Sequence, residues 1–444
     1  MAMVTLRSRR LERLFDARLD EVTRAHIADL VTAAVPEAYD LEYKAELYGK
    51  SDKEKRDVAG DIAAMANTAG GLLVLGIAED DQARAAAAPG VALSDEEVRR
   101  IHLIAAAQVA PSPTFDVLQI EDPKQSGHGF MLIAVPRSPM GPHAVLVNEA
   151  LRFPRRSGTT TIYLSEPEVA SAYRARFAGL QSRFDDLTRY EHDLLARLDT
   201  SELTYVAVTL VPDLGGDFTI DMRTMRAFQQ EMVGRQPLIL NGGSLWQRAS
   251  VASGRLVADG TMNDDAKARW LACELHESGA GSFAAAVDQR RADATASQLD
   301  DESVVNVVWS GLRFLARHAR DRAAAGGSAA AQATVWPVSE ELPARLMQGR
   351  FHGFPEVLGK YTPTSPPTAV GVFDIDDLAE DGPPLVAATY ALATGLFQGF
   401  GHPEALQMTS RGAIRIRYWR YGVPPQLRQW AKAAGVELSE EVIG

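Results

Sequence analysis

Between Ser51 and Ile77 a helical pattern runs into a strand pattern with two glycines between them. Val58, Ile62, Met65, Ala66 and Ala69 recur at helical spacing, Gly70-Gly71 stops the helix, and Leu72 to Ile77 is an apolar run with the pattern of a buried strand. Gly70-Gly71 lets the chain leave the helix in a left-handed turn and enter the strand directly. Few arrangements satisfy this segment, because a strand that follows its helix so closely must lie near it.

The surrounding punctuation extends the pattern. Ser51 with Glu54, Ser94 with Glu97 and Ser165 with Glu168 are capping boxes that open three helices. Leu41 to Leu47 begins extended, Phe130 to Val135 reads as a second strand, and Ala144 to Phe153 reads as a hairpin turning at Asn148-Glu149. Alternating strands and helices predict an α/β or α+β fold over about residues 30–180, after an N-terminal helical segment at 1–29. Phe184 to Leu198 reads as a charged connector helix, and Tyr205 to Val211 starts a new strand. The Ala/Gly-rich stretch Arg322 to Thr334 reads as a linker. It divides the remainder into an α/β domain at 181–321 and an α+β domain at 335–444, both of unknown role.

Chemistry concentrates before the capped helix. In an extended Glu42-Tyr43-Lys44, alternate side chains share a face, so Glu42 and Lys44 point the same way. A carboxylate and an ammonium so placed suit metal-dependent phosphodiester cleavage. Glu37, just after Pro36, is within reach of the same metal. Glu79, Asp80 and Asp81 follow the Leu72 to Ile77 strand, where side chains commonly line a site, and one of them can complete three carboxylates. Asn67 and Thr68, in the last helical turn, can bond free backbone groups or contact a ligand.

These blocks resemble the Schlafen AlbA-like family. The resemblance is carried by Leu41-Glu42-Tyr43-Lys44, by Asp61 through Ile77 with its Asn67-Thr68-Ala69-Gly70-Gly71 core and Gly76, and by Arg156-Ser157-Gly158-Thr159. It covers about residues 30–178. It implies a mixed sheet with flanking helices, and a metal-dependent endoribonuclease acting on structured RNA such as tRNA in phage defence or stress. Glu37, Glu42 and either Glu79 or Asp80 would bind Mg²⁺ or Mn²⁺, and Lys44 would assist. The family usually places a glycine shortly after the acidic turn, whereas here it comes only at Gly90. The other reading of the same fold is a nucleotide-binding (ATP-binding) or nucleic-acid-binding regulator without catalysis.

Charge limits how RNA could be held. The chain has 46 Lys and Arg against 58 Asp and Glu, a formal charge of −12. Residues 1–180 hold 21 basic and 25 acidic side chains, about −4, so attraction to a polyanion must be local. Candidate RNA contacts are Lys50 and Arg56 near the first capped helix and Arg152, Arg155 and Arg156 beyond the hairpin. In a third cluster, Arg415, Arg417 and Arg420 with Tyr418, Trp419 and Tyr421 between them, Arg415 and Arg417 share a strand face, which reads as an edge strand packing on its own acidic domain or else as a cationic surface suited to RNA. The single cysteine, Cys273, fits a cytoplasmic setting. Leu385 to Phe400 is too short and polar to cross a bilayer and reads as a buried helix. One motif copy where an RNA clamp needs two lobes predicts a homodimer.

Overall fold

The computed structural model describes residues 8–147, 150–216, 218–240, 245–260, 269–289, 295–348, 356–419 and 423–441. The chain forms two compact units, Met1–Ser182 and Arg183–Gly444, each mixing helices with sheet. Among the described residues no helix is long and apolar enough to cross a membrane.

The first unit runs α1 (Arg9–Phe15), α2 (Arg24–Thr32), β1 (Leu41–Lys44), α3 (Asp52–Ala66), β2 (Gly70–Leu75), β3 (Ala78–Glu79), β4 (Ala85–Ala87), β5 (Val91–Ala92) and α4 (Asp95–Gln108). It continues through β6 (Val109–Ala110), β7 (Asp116–Asp122), β8 (Gln125–Pro136), β9 (Ala144–Val147), β10 (Ala150–Arg152), β11 (Pro154–Ser157) and β12 (Thr160–Tyr163) into α5 (Glu166–Leu195). The expected turn at Asn148-Glu149 lies outside the described residues, although β9 and β10 pair antiparallel as a hairpin requires. The two helices read on either side of residue 180 are one, α5.

β2 lies between a parallel β1 and an antiparallel β8, and β8 also pairs with β5 and β7. Alternation sorts the sheet's side chains. Leu41, Tyr43, Leu72 and Val74 pack with Leu11, Phe15, Ile27 and Leu30 of the first two helices, while Leu73, Leu75, Met131 and Ile133 pack with Val58, Ile62 and Met65 of α3. Both faces of β2 are therefore apolar, which is why its sequence is an unbroken run rather than an alternation.

The helix-to-strand junction is built as its two glycines suggest. Gly70 takes a φ of +77°, and a Cβ on Gly71 would lie 2.9 Å from the Asp40 carbonyl oxygen. Asn67, beside them, is a structural clamp rather than a ligand contact. Its Nδ2 donates to the carbonyls of His143 (2.9 Å) and Pro154 (2.8 Å), and its Oδ1 accepts from the His143 amide (2.6 Å). One side chain thus docks β9 and β11 onto the end of α3. The late glycine also finds its place, since the Gly90 amide donates to the Gly76 carbonyl (3.0 Å) and the β3–β4 hairpin is an excursion between them.

The second unit is a seven-stranded sheet in the order Arg248–Ala252, Arg255–Gly260, Leu271–His276, Gly281–Gln289, Leu203–Leu214, Gly326–Trp336 and Thr368–Asp374, antiparallel throughout. The helix Asp301–Arg317 and the buried helix Pro383–Gly399 share its main core. Here the sequence reading needs correction. Most of the Ala/Gly-rich stretch Arg322 to Thr334 lies in strand Gly326–Trp336, an inner strand whose alanines Ala329, Ala330, Ala331 and Ala333 are all buried. Ala329, Ala331 and Ala333 belong to the main core, and Ala330 packs with Leu187 of α5. Small side chains serve close packing on both faces, not flexibility, and residues 181–321 and 335–444 contribute to a single core. Arg415 follows the edge-strand reading rather than the RNA one: in the short strand Ile414–Arg415, paired with Leu438–Ser439, it is buried against Glu404, Glu441 and the Met408 carbonyl. Arg420 lies outside the described residues.

Replacing Asn67 by alanine would strand three backbone groups at once. At ~1–3 kcal/mol for each buried unpaired group, Asn67→Ala should lower the unfolding free energy by about 3 kcal/mol in urea titrations. A loss below about 0.5 kcal/mol would remove the clamp assignment.

Candidate functional site

Leu41 and Tyr43 face α1 and α2, so Glu42 and Lys44 must face α3, and the parallel register sets them beside Leu73 and Leu75. The Glu42 carboxylate is buried and holds two cations: Lys44 Nζ donates to its Oε1 (2.5 Å) and Arg156 Nη1 to its Oε2 (2.7 Å). Exposure separates the partners, with the Arg156 side chain 2% and Lys44 38% accessible. Arg156 arrives there through the motif, because Thr68 Oγ1 accepts its amide (2.9 Å) while donating to the Ala64 carbonyl (2.7 Å). Arg156 is therefore a buried partner of Glu42, not the outward RNA contact its sequence neighbours suggested. Burial works against the charge of Lys44, yet Glu42, joined by Asp61 and Glu37, outweighs it and raises the lysine pKa above its ordinary value.

The three expected carboxylates do not assemble equally. Glu37 Oε1 accepts from the Tyr43 amide (2.7 Å), and its pKa is raised by burial, then by the charges of Glu79 and Glu42. Asp80 is turned into its own loop, where its Oδ1 accepts from the amides of Gln82 (2.8 Å) and Arg84 (3.0 Å). That removes Asp80 and leaves Glu79 as the acidic neighbour of Glu37. Among the described residues no three His, Cys, Asp or Glu side chains gather as a metal site. With both Glu42 oxygens taken by cations, the residues as placed do not fit the expected Mg²⁺ or Mn²⁺, and no catalytic step is built on one.

A cleft of about 630 Å³ opens beside Lys44, lined by α3 at Arg56, Gly60 and Asp61 and by β12 at Thr161 and Tyr163. Of the other expected RNA contacts, Lys50 and Arg152 are exposed, and Arg155 pairs with Glu168 at 3.3 Å. Sequence reasoning passed over Asp61 as one more helix carboxylate. Its Oδ2 accepts from the Tyr48 hydroxyl (2.7 Å), and its pKa is pushed up to about 7 by burial and then by Glu42, against the pull of Lys44, the Tyr48 bond and Arg156. The signal available in the sequence was an acidic residue one turn before Met65, on a helix whose other inward positions are apolar.

A carboxyl whose folded pKa exceeds its unfolded value (~3.9) stabilises the fold fully below the unfolded value, and that stability is lost as pH rises through the folded one. The contribution of Asp61 should therefore decline between about pH 4 and pH 7. Thermal melts of the wild type against Asp61→Asn, from about pH 5 to pH 8, should show a steeper fall in the wild type. Parallel profiles would exclude Asp61 as the titrating group.

No curated protein matches this chain. The crystal structure of the DIP2311 protein from Corynebacterium diphtheriae is similar, with 18% identity over 38% of this chain and 29% of that one, and a TM-score of 0.25. The chain thus spans less than a third of that relative's length. The solution structure of the N-terminal domain of a protein related to the ATP-dependent DNA helicase RecG, from Nitrosomonas europaea, is similar at 19% identity. It covers 33% of this chain and 96% of that domain, with a TM-score of 0.23. From the carboxylate of Glu37 to the cleft rim at Tyr163, residues 37–163 match the family described as Schlafen, AlbA_2.

Proposed function

We propose that the N-terminal unit binds RNA, with Lys44 as the phosphate contact at the mouth of the cleft. The observation that carries this reading is the Glu42–Lys44–Arg156 arrangement: one buried carboxylate holds Lys44 charged and half-exposed, while Arg156 offsets the carboxylate's charge from below. The match to the Schlafen family supports it. The cleft lining carries Lys44 and Arg56 against Glu46, Glu54, Asp57 and Asp61, so binding is weak and local, and salt screens it. Lys50 and Arg152, both exposed, are the further candidate phosphate contacts.

A labelled tRNA titrated with the full chain should bind at low salt. Lys44→Ala should weaken binding by about tenfold and reduce the salt slope by about one. No measurable binding, or an unchanged slope in the variant, would refute the assignment.

A second reading, metal-dependent cleavage of that RNA, rests on the family match, since the Glu42 carboxylate as placed is already held by two cations. Incubating tRNA with the protein and Mn²⁺ decides it. Cleavage that disappears in Glu37→Gln supports an endoribonuclease, and binding without cleavage assigns the unit as a recognition module.

A further inference from the structure

Glycine in a helix interior destabilises the helix relative to alanine, so it is usually retained where something must approach the backbone closely. Gly60 sits in the middle of α3, yet a Cβ placed there would meet no atom within 4 Å. No described residue uses the space. The space belongs to the cleft, whose lining also includes Thr161 and Tyr163, alternate residues of β12. Tyr163 is 56% exposed there. Beside Gly60, the Asp61 carboxylate is oriented by the buried Tyr48 hydroxyl on Oδ2, and its Oδ1 receives no hydrogen bond from a described residue.

A flat opening over bare helix backbone, an exposed aromatic ring and a fixed acceptor pair together describe a nucleobase pocket. The acceptor selects the base. Guanine alone presents two adjacent donors, N1–H and the exocyclic N2–H₂, on its Watson–Crick edge. Adenine and cytosine set an acceptor beside their donor, and uracil flanks its one donor with carbonyls, so each would turn a lone pair toward the carboxylate. We propose that the cleft is a guanine-selective subsite, in which the base lies over Gly60, stacks on Tyr163 and donates two hydrogen bonds to Asp61. This rests on the RNA-binding reading and adds which base it favours. Lys44 and Arg56, lining the same cleft, are placed to meet the attached phosphates. The burial that disfavours the Asp61 charge is what two incoming donors would offset.

The test compares a labelled twelve-nucleotide oligouridine with the same strand carrying one central guanosine, each titrated with the full chain. The guanosine should tighten binding by about tenfold, the discrimination of one bidentate contact. Guanosine monophosphate should compete, and the adenosine, cytidine and uridine monophosphates should not at the same concentration. Gly60→Leu, whose side chain enters open space, and Asp61→Asn, which replaces one acceptor oxygen by a donor, should each abolish the preference. Should either variant fail to fold, Gly60→Ala serves in its place, with a raised melting temperature and weakened competition by guanosine monophosphate expected. Equal binding of both strands by the wild type, or a preference that survives in the variants, overturns the guanine subsite and leaves RNA binding standing. If neither strand nor guanosine monophosphate binds, both readings fall.

Discussion

The ion pair between Glu42 and Arg156 joins residues 114 positions apart, and the first unit's site depends on it. Two charges so deeply buried do not make a fold more stable by default, because desolvation can match or exceed their attraction. What the pair supplies is position. Glu42 is placed by β1, Arg156 by Thr68 at the end of α3, and Asn67 docks β11 on the same helix end. The Asn-Thr-x-Gly-Gly block is therefore a joint. It ends a helix, starts a strand and delivers a distant arginine beneath the carboxylate that Lys44 shares.

The parts of this that were legible in the sequence are those set by local rules. Periodicity and the paired glycines locate α3 and β2, and strand alternation puts Glu42 and Lys44 on one face. Residue choices whose meaning depends on a distant partner were not legible. Arg152, Arg155 and Arg156 form one cluster in sequence, yet they end exposed, on Glu168 and on Glu42 respectively. Asp80 has the spacing of a site carboxylate, but spacing carries no direction, and its side chain closes its own turn. The alanines of Gly326–Trp336 look like a linker by composition because composition does not register neighbours. Asp61 was missed for the complementary reason: a lone carboxylate on a charged helix becomes unusual only once Tyr48 and the cleft are in place.

The formal charge of −12 also changes meaning once it is placed. Part of the first unit's acidity lies in carboxylates that are bonded inward or to their own loop, such as Glu42 and Asp80. These do not repel a polyanion as free surface charges would, since each is compensated by a cation or by backbone amides.

The pairing of Gly90 with Gly76 has an evolutionary side. Because the chain returns to the sheet where it left, the segment from Ile77 to Pro89 is closed at its base by the Gly90 to Gly76 hydrogen bond. Loop length adds only slowly to the entropy of such a closure. At the segment's exposed tip, Asp81 and Gln82, the polypeptide can gain or lose residues without disturbing β2 or β8, whereas Ile77 and Ala85 are held in the core. The acidic turn can therefore drift in sequence and in number of carboxylates while the glycines that frame it keep their register, and a residue counted by its distance from Gly76 need not keep its role from one chain to another.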